Sequence, residues 1–195
     1  MVEPILELWL VRHGETTRSR DGRLAGWSDV RLTERGRAEA RALRPLLAGG
    51  SFAGVWCSDL ARTRTTARLA WGRAQTDRRL RELSFGDLEG LRWTALPRPL
   101  KESLLGWDGF HPTGGESLDE LAARVHAFLA TLDAGRHLVF THGGVVRLLS
   151  RQLGVDEFQP TGTLLVVDWT RRLLLRREKP LVESDRLPLA HHLSS

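Results

Sequence analysis

The sequence predicts an α/β fold, a three-layer α/β/α sandwich around a mainly parallel mixed sheet. Short apolar runs of strand length, such as residues 5–11 and 137–141, alternate with longer segments whose apolar residues recur at helical spacing. That alternation is the pattern of parallel strands joined by crossover helices. Two further strand-like runs, 163–169 and 172–177, are separated by a tight turn near Thr170-Arg171, which adds an antiparallel hairpin. With 195 residues, the chain is long enough for one sizeable core. Residues 1–178 are expected to form a single domain and 179–195 a partly ordered C-terminal tail, in which His191-His192 is incidental.

Each element has a local reason. Ile5 to Val11 is an apolar run that stops at Arg12-His13-Gly14, where a buried strand would not readily place two ionisable side chains. Arg18 to Arg23 is a polar loop carrying three arginines, either solvated or recognising a second anion. Thr33 reads as an N-cap and Glu34 as a first-turn acid for a helix to about Leu47, which Gly49-Gly50 ends. Residues 54–57 read as a strand. Ser58-Asp59 would then cap a helix from Leu60 to about Trp71, placing Arg62 in its first turn and Arg64 and Arg68 toward solvent.

Residues 78–83 look like a weak strand. From Trp93 to Pro112, Pro97, Pro99 and Pro112 interrupt an apolar stretch, which predicts a short helix with irregular flanks covering the core or acting as a lid. Ser117 with Glu120 forms a capping box before a helix whose apolar face is Leu118, Leu121, Val125, Phe128, Leu129 and Leu132. The strand 137–141 ends at His142-Gly143-Gly144, and a helix follows from Val145 to Leu153.

Composition narrows the function. The formal charge is +5, but the arginines are scattered, without the basic block or interleaved aromatics of a nucleic-acid surface. No apolar run approaches the ~20 residues of a membrane span. Cys57 is the only cysteine, which excludes an internal disulfide and any multi-cysteine metal site. The amino terminus lacks the basic region and cleavage site of a signal peptide, so a cytoplasmic location is the default expectation.

The chemistry gathers at strand ends, where open α/β sheets bind ligands. His13 can act as a nucleophile, a neighbouring guanidinium suits a phosphate, and Gly14 would let backbone amides approach that anion. In a chain so rich in arginine the Arg12-His13-Gly14 tripeptide alone is weak. The remainder of the sequence supplies partners: Arg62 at a helix start, where a cation works against the helix dipole, a carboxylate at Glu82, and a second strand-end histidine, His142.

In that order, these motifs resemble the histidine phosphatase superfamily, the phosphoglycerate-mutase-like proteins. The resemblance covers residue 5 to about 155 and includes Gly26 to Gly36, Ser58 to Ala67, Glu82 to Gly90, and Gly114 to Ser117. It implies that His13 becomes a phosphohistidine, that Arg12, Arg62 and His142 clamp the phosphoryl oxygens, and that Glu82 exchanges the proton with the leaving group. His13, Glu82 and His142 are thus the candidate catalytic residues, and Arg12, Gly14, Ser19, Gly26, Arg62 and Gly143 the candidate phosphate- and substrate-binding ones. Ser19 stands where the family pattern has asparagine, and Ala25 where mutases have threonine, so substrate details do not transfer.

The same resemblance implies no metal and no cofactor. The expected partner is a small phosphorylated substrate, with no nucleic acid or membrane, and homodimerisation is left open. Mutases carry a longer insertion between the acid and the second histidine. Here that segment is short and has no adjacent arginine pair, which favours a phosphatase of α-ribazole or broad-specificity sugar or glycerate type over a cofactor-dependent mutase. A non-catalytic phospholigand-binding protein is a distant third.

Overall fold

A computed structural model describes residues 4–182; most of the predicted tail, including His191-His192, lies outside them. In chain order the elements are β1 (Leu6–Arg12), α1 (Thr17–Arg20), α2 (Glu34–Ala42), α3 (Arg44–Leu47), β2 (Gly54–Cys57), α4 (Ala61–Ala70), β3 (Gln75–Thr76), α5 (Arg98–Gly106), α6 (Leu118–Leu129), β4 (Gly135–Thr141), α7 (Gly143–Arg151), β5 (Leu164–Asp168) and β6 (Leu173–Glu178). Short 3-10 turns occupy Arg78–Leu80, Gly86–Leu88 and Trp93–Ala95.

The strands form one six-stranded sheet in the order β3-β2-β4-β1-β5-β6. The first four run parallel, while β5 pairs antiparallel with β1 and β6 antiparallel with β5. Alternate residues of the central strands feed two separate cores, as the period of two requires. Leu8, Leu10, Val139, Leu165 and Val167 meet α6 and α7 on one face. Trp9, Val11, Leu138, Phe140, Leu164 and Val166 meet Leu43, α3 and α4 on the other. The architecture is the predicted sandwich.

Three local expectations are corrected. The helix expected to reach Leu47 breaks after Ala42, because Pro45 lies in the first turn of α3 and has no N–H to extend the earlier ladder. The segment 78–83 is not a strand: the pairing falls earlier, Trp56 and Cys57 against Gln75 and Thr76. Ser58 and Asp59 do not cap α4 in the expected way. Leu60 occupies the N-cap, and the free Ala61 amide donates to Asp29 Oδ1 at 2.8 Å from a distant loop.

Helix α6 has the predicted Ser117–Glu120 capping box and a buried apolar face; Leu132, expected on that face, lies beyond the helix end at Leu129 and is half-buried. Arg64 and Arg68 are exposed, as expected. No helix among the described residues is long and apolar enough to cross a membrane.

Candidate active site

The sheet order places the chemistry. β1 and β4 are adjacent and parallel with Arg12 opposite Thr141, so the next residues, His13 and His142, emerge side by side at the carboxyl edge. Their rings lie 5.2 Å apart between centroids. β2 lies on the other side of β4, and the helix after it delivers Arg62.

Hydrogen bonds assign the two imidazoles opposite tautomers. His13 Nδ1 is 2.8 Å from the Gly14 carbonyl oxygen; a carbonyl only accepts, so Nδ1 carries the proton and Nε2 keeps a free lone pair. His142 Nδ1 accepts from Arg62 Nε at 3.2 Å, so its proton sits on Nε2. That buried Nε2–H has no partner among the described residues. Burial first, then the charges of Arg62 and Arg12, holds His13 well below the usual imidazole range. Burial, then Arg62 and His13, does the same for His142. Both rings are therefore neutral at physiological pH.

Two buried guanidiniums complete the floor. Arg62 is fully enclosed and donates to the carbonyls of Ser28 at 2.9 Å and Gly26 at 2.6 Å. Arg12 donates through Nη1 to the Gln159 carbonyl, lies 4.3 Å from the Phe158 ring centroid, and leaves its buried Nε without a partner among the described residues. Burial pulls both down to about 10, which leaves them charged at neutral pH. Buried donors that lack partners are costly, and here two of them belong to Arg12, which lines the cavity, and to His142, whose ring stands beside that of the cavity-lining His13.

Glu82 borders the same cavity. Its carboxylate accepts from the Gly144 amide at 3.0 Å and 3.2 Å and from the Leu83 amide at 2.9 Å. Its carbonyl is fixed by Trp27 Nε1 at 2.7 Å and Arg124 Nη2 at 2.8 Å. Arg124, paired with Glu116 at 2.6 Å, also holds the Arg79 and Arg81 carbonyls, so it pins the segment that presents the acid.

The other predicted residues act mostly as spacers. The Gly14 amide does not face the cavity but donates to Thr66 Oγ1 at 3.1 Å. A Cβ on Gly14 would come within 2.2 Å of the Gly36 carbonyl oxygen, so this glycine exists for close backbone packing. Gly26, at φ +50, offers its carbonyl to Arg62 rather than an amide to the ligand. A Cβ on Gly143 would crowd the Phe158 ring at 3.0 Å and Arg12 Cζ at 3.3 Å. Ser19 lines the cavity, but its hydroxyl accepts from the Thr16 amide at 2.9 Å in the α1 capping box.

The arginine loop, open to two readings from sequence, turns most of its arginines away from the cavity. Arg18 turns back toward the Leu24 and Ala25 carbonyls at 3.3 and 3.4 Å, and Arg20 pairs with Asp21 at 2.9 Å. Only Arg23 of the three borders the cavity. Sequence reasoning missed Gly144, Gln159 and Phe158, and did not foresee the role of Glu89. Glu89 accepts from the Trp27 and Ser28 amides at 2.7 and 2.9 Å and so shapes the loop whose carbonyls hold Arg62.

The cavity has a volume of about 570 Å³. Above the charged floor its walls are apolar, with Leu83, Phe85, Trp93, Leu104, Trp107 and Phe158 prominent. The expected aromatic segment therefore does flank the site, though Phe110 is buried beneath it beside Phe85. Among the described residues no group of three or more His, Cys, Asp or Glu side chains is placed to hold a metal ion.

A parallel-stranded sandwich with two neutral histidines and two buried arginines at its carboxyl edge defines a phosphoryl-handling class. The sequence pattern of the histidine phosphatase superfamily (branch 1) matches residues 8–166, and the chain belongs to that family. Adenosylcobalamin/alpha-ribazole phosphatase of Escherichia coli (strain K12) is 38% identical over 160 residues, covering 76% of this chain and 79% of that one. The crystal structure of TTHB049 from Thermus thermophilus superimposes with a TM-score of 0.82 at 48% identity, covering 88% of this chain and 98% of that one. The crystal structure of phosphoglycerate mutase from the same organism gives a TM-score of 0.82 at 49% identity, over 88% and 97% of the two chains.

Proposed function

We propose that this chain is a phosphomonoester hydrolase that works through a phosphohistidine at His13. The reading rests on one observation above the others: a free Nε2 lone pair on His13 beside unpartnered buried donors on His142 and Arg12. In the first step His13 Nε2 attacks phosphorus and the bond to the leaving oxygen breaks. Arg12, Arg62 and His142 hold the phosphoryl oxygens, whose charge shifts in the transition state. Glu82 gives a proton to the leaving oxygen. In the second step it takes one from the water that attacks the phosphohistidine, and phosphate departs. Fixed cations carry out the charge stabilisation in this scheme, without a metal.

The cavity supports a substrate class. A phosphorylated glycerate would occupy only the charged floor, whereas about 570 Å³ with apolar walls suits a small phosphomonoester with a ring or other apolar portion. The E. coli relative's name makes alpha-ribazole phosphate a first compound to try. The mutase reading stays in second place because a Thermus thermophilus relative carries that name.

A turnover screen across phosphomonoesters, with and without 2,3-bisphosphoglycerate, separates the two. Phosphate release that is fastest for ring-bearing esters, with no interconversion of 2- and 3-phosphoglycerate, is the expected result. Bisphosphoglycerate-dependent interconversion exceeding hydrolysis would reverse the order. Glu82→Gln should slow alkyl esters far more than aryl esters, whose leaving oxygen needs little protonation; equal losses would deny Glu82 the role of acid.

A further inference from the structure

Helix α5 supplies Leu104 and Leu105 to the cavity wall, yet none of its residues is buried. Leu100, Leu104 and Trp107 rest only partly covered on the core. So little apolar burial would leave a nine-residue helix loosely held. Its C-terminal end is fastened instead by one side chain. Arg147 donates from Nη1 to the Leu104 carbonyl at 2.9 Å and from Nη2 to the Leu105 carbonyl at 2.6 Å. These belong to the last carbonyls of the helix, which have no intrahelical donor, and a cation there also suits the helix dipole.

The same guanidinium pairs with Asp156 at 2.7 Å and stacks 4.9 Å from the centroid of Trp107, the helix C-cap in a left-handed conformation at φ 56. Arg151 reinforces Asp156 from the next turn of α7. An exposed ion pair would contribute little. Arg147, however, is only 12% exposed and directs its donors to the helix end. It also lies one turn beyond Gly144, whose amide holds the Glu82 carboxylate, so α7 carries both the support of the acid and the fastening of the wall.

We propose that Arg147 is a positioning residue that determines specificity: by latching the C-terminal end of α5 it sets affinity for phosphomonoesters with a bulky apolar portion, while taking no part in phosphoryl transfer. This rests on the reading of the cavity as a phosphomonoester site.

The test compares Arg147→Met and Arg147→Lys with the wild type in hydrogen exchange without substrate and in kinetics on 1-naphthyl phosphate and acetyl phosphate. Amides of residues 102–108 should lose protection in both variants. Lysine keeps the charge but cannot span two carbonyls and a carboxylate. KM for 1-naphthyl phosphate should rise roughly tenfold, the scale of losing charge-assisted hydrogen bonds. The kcat/KM for acetyl phosphate and the inhibition constant of inorganic phosphate should stay within about twofold on the same reasoning. Unchanged exchange in 102–108, or an equal loss for both substrates, would overturn the latch. If the wild type turns over neither compound, the hydrolase reading falls, and the latch is then decided by exchange together with calorimetric affinity for 1-naphthyl phosphate.

Discussion

Gly144 is the second residue of α7, and a methyl group built on it would lie 2.3 Å from Glu82 Oε1. Ordinary contact begins at 3.4 Å, so in Gly144→Ala the carboxylate must retreat by about 1 Å. It can, because the clash is with the end of a flexible side chain and not with backbone. The fold should therefore survive. Alanine in a helix gains about 0.5–1 kcal/mol over glycine, against at most ~1.5–3 kcal/mol if the amide–carboxylate bonds are lost, so stability should fall by no more than about 2.5 kcal/mol. Catalysis should suffer more. A displacement of about 1 Å in a reacting group can cost about 100-fold, and the loss should appear where protonation of the leaving oxygen matters. The assay is kcat/KM for an alkyl phosphate and for p-nitrophenyl phosphate, with thermal melting alongside. A loss approaching 100-fold for the alkyl ester and less than about tenfold for the nitrophenyl ester is expected. Equal losses, or a variant that no longer folds, would refute the geometry assigned to Glu82.

Two further predictions concern stability. The pKa values of His13 and His142 lie well below 6.5 in the folded protein, whereas both residues titrate near that value when unfolded. Their contribution is therefore fully present above pH 6.5 and lost as pH falls from there toward the folded values. The slope should approach about 2.7 kcal/mol per pH unit for two protons and be roughly halved in His13→Ala; urea melts between pH 7 and 5 that stay flat would contradict the burial of both rings. Gly14→Ala should destabilise by about 2–3 kcal/mol or more, because its Cβ would meet the Gly36 backbone oxygen at 2.2 Å. Gly49→Ala, with nothing within 4 Å, is the control, and equal effects on the urea midpoint would deny the close approach.

The sequence made the central strands visible because each is a compact apolar run, and made α6 visible through its capping box and apolar stripe. It could not reveal β3, two exposed edge residues that owe their conformation to pairing with β2. Nor could it reveal that Asp29 satisfies the start of α4, since that bond joins residues 32 apart in sequence. The site divides the same way. His13, His142, Arg12, Arg62 and Glu82 were legible because ionisable groups at strand ends and helix starts contradict the local pattern. Gly144, Glu89 and Arg124 were not, since a glycine after a histidine, a loop carboxylate and a helix arginine are all ordinary locally. The loop arginines stayed ambiguous because charge alone does not say where a guanidinium points; Arg18 found the Leu24 and Ala25 carbonyls of its own loop.

Turnover through a covalent bond to His13 is the central claim. The most direct measurement mixes the protein with a phosphomonoester, quenches in alkali during turnover, and locates the phosphoryl group by peptide mass spectrometry. A single phosphoryl group on the peptide containing His13, absent together with turnover in a folded His13→Ala variant, is the predicted result. A phosphoryl group on another residue, or undiminished turnover in that variant, would contradict it.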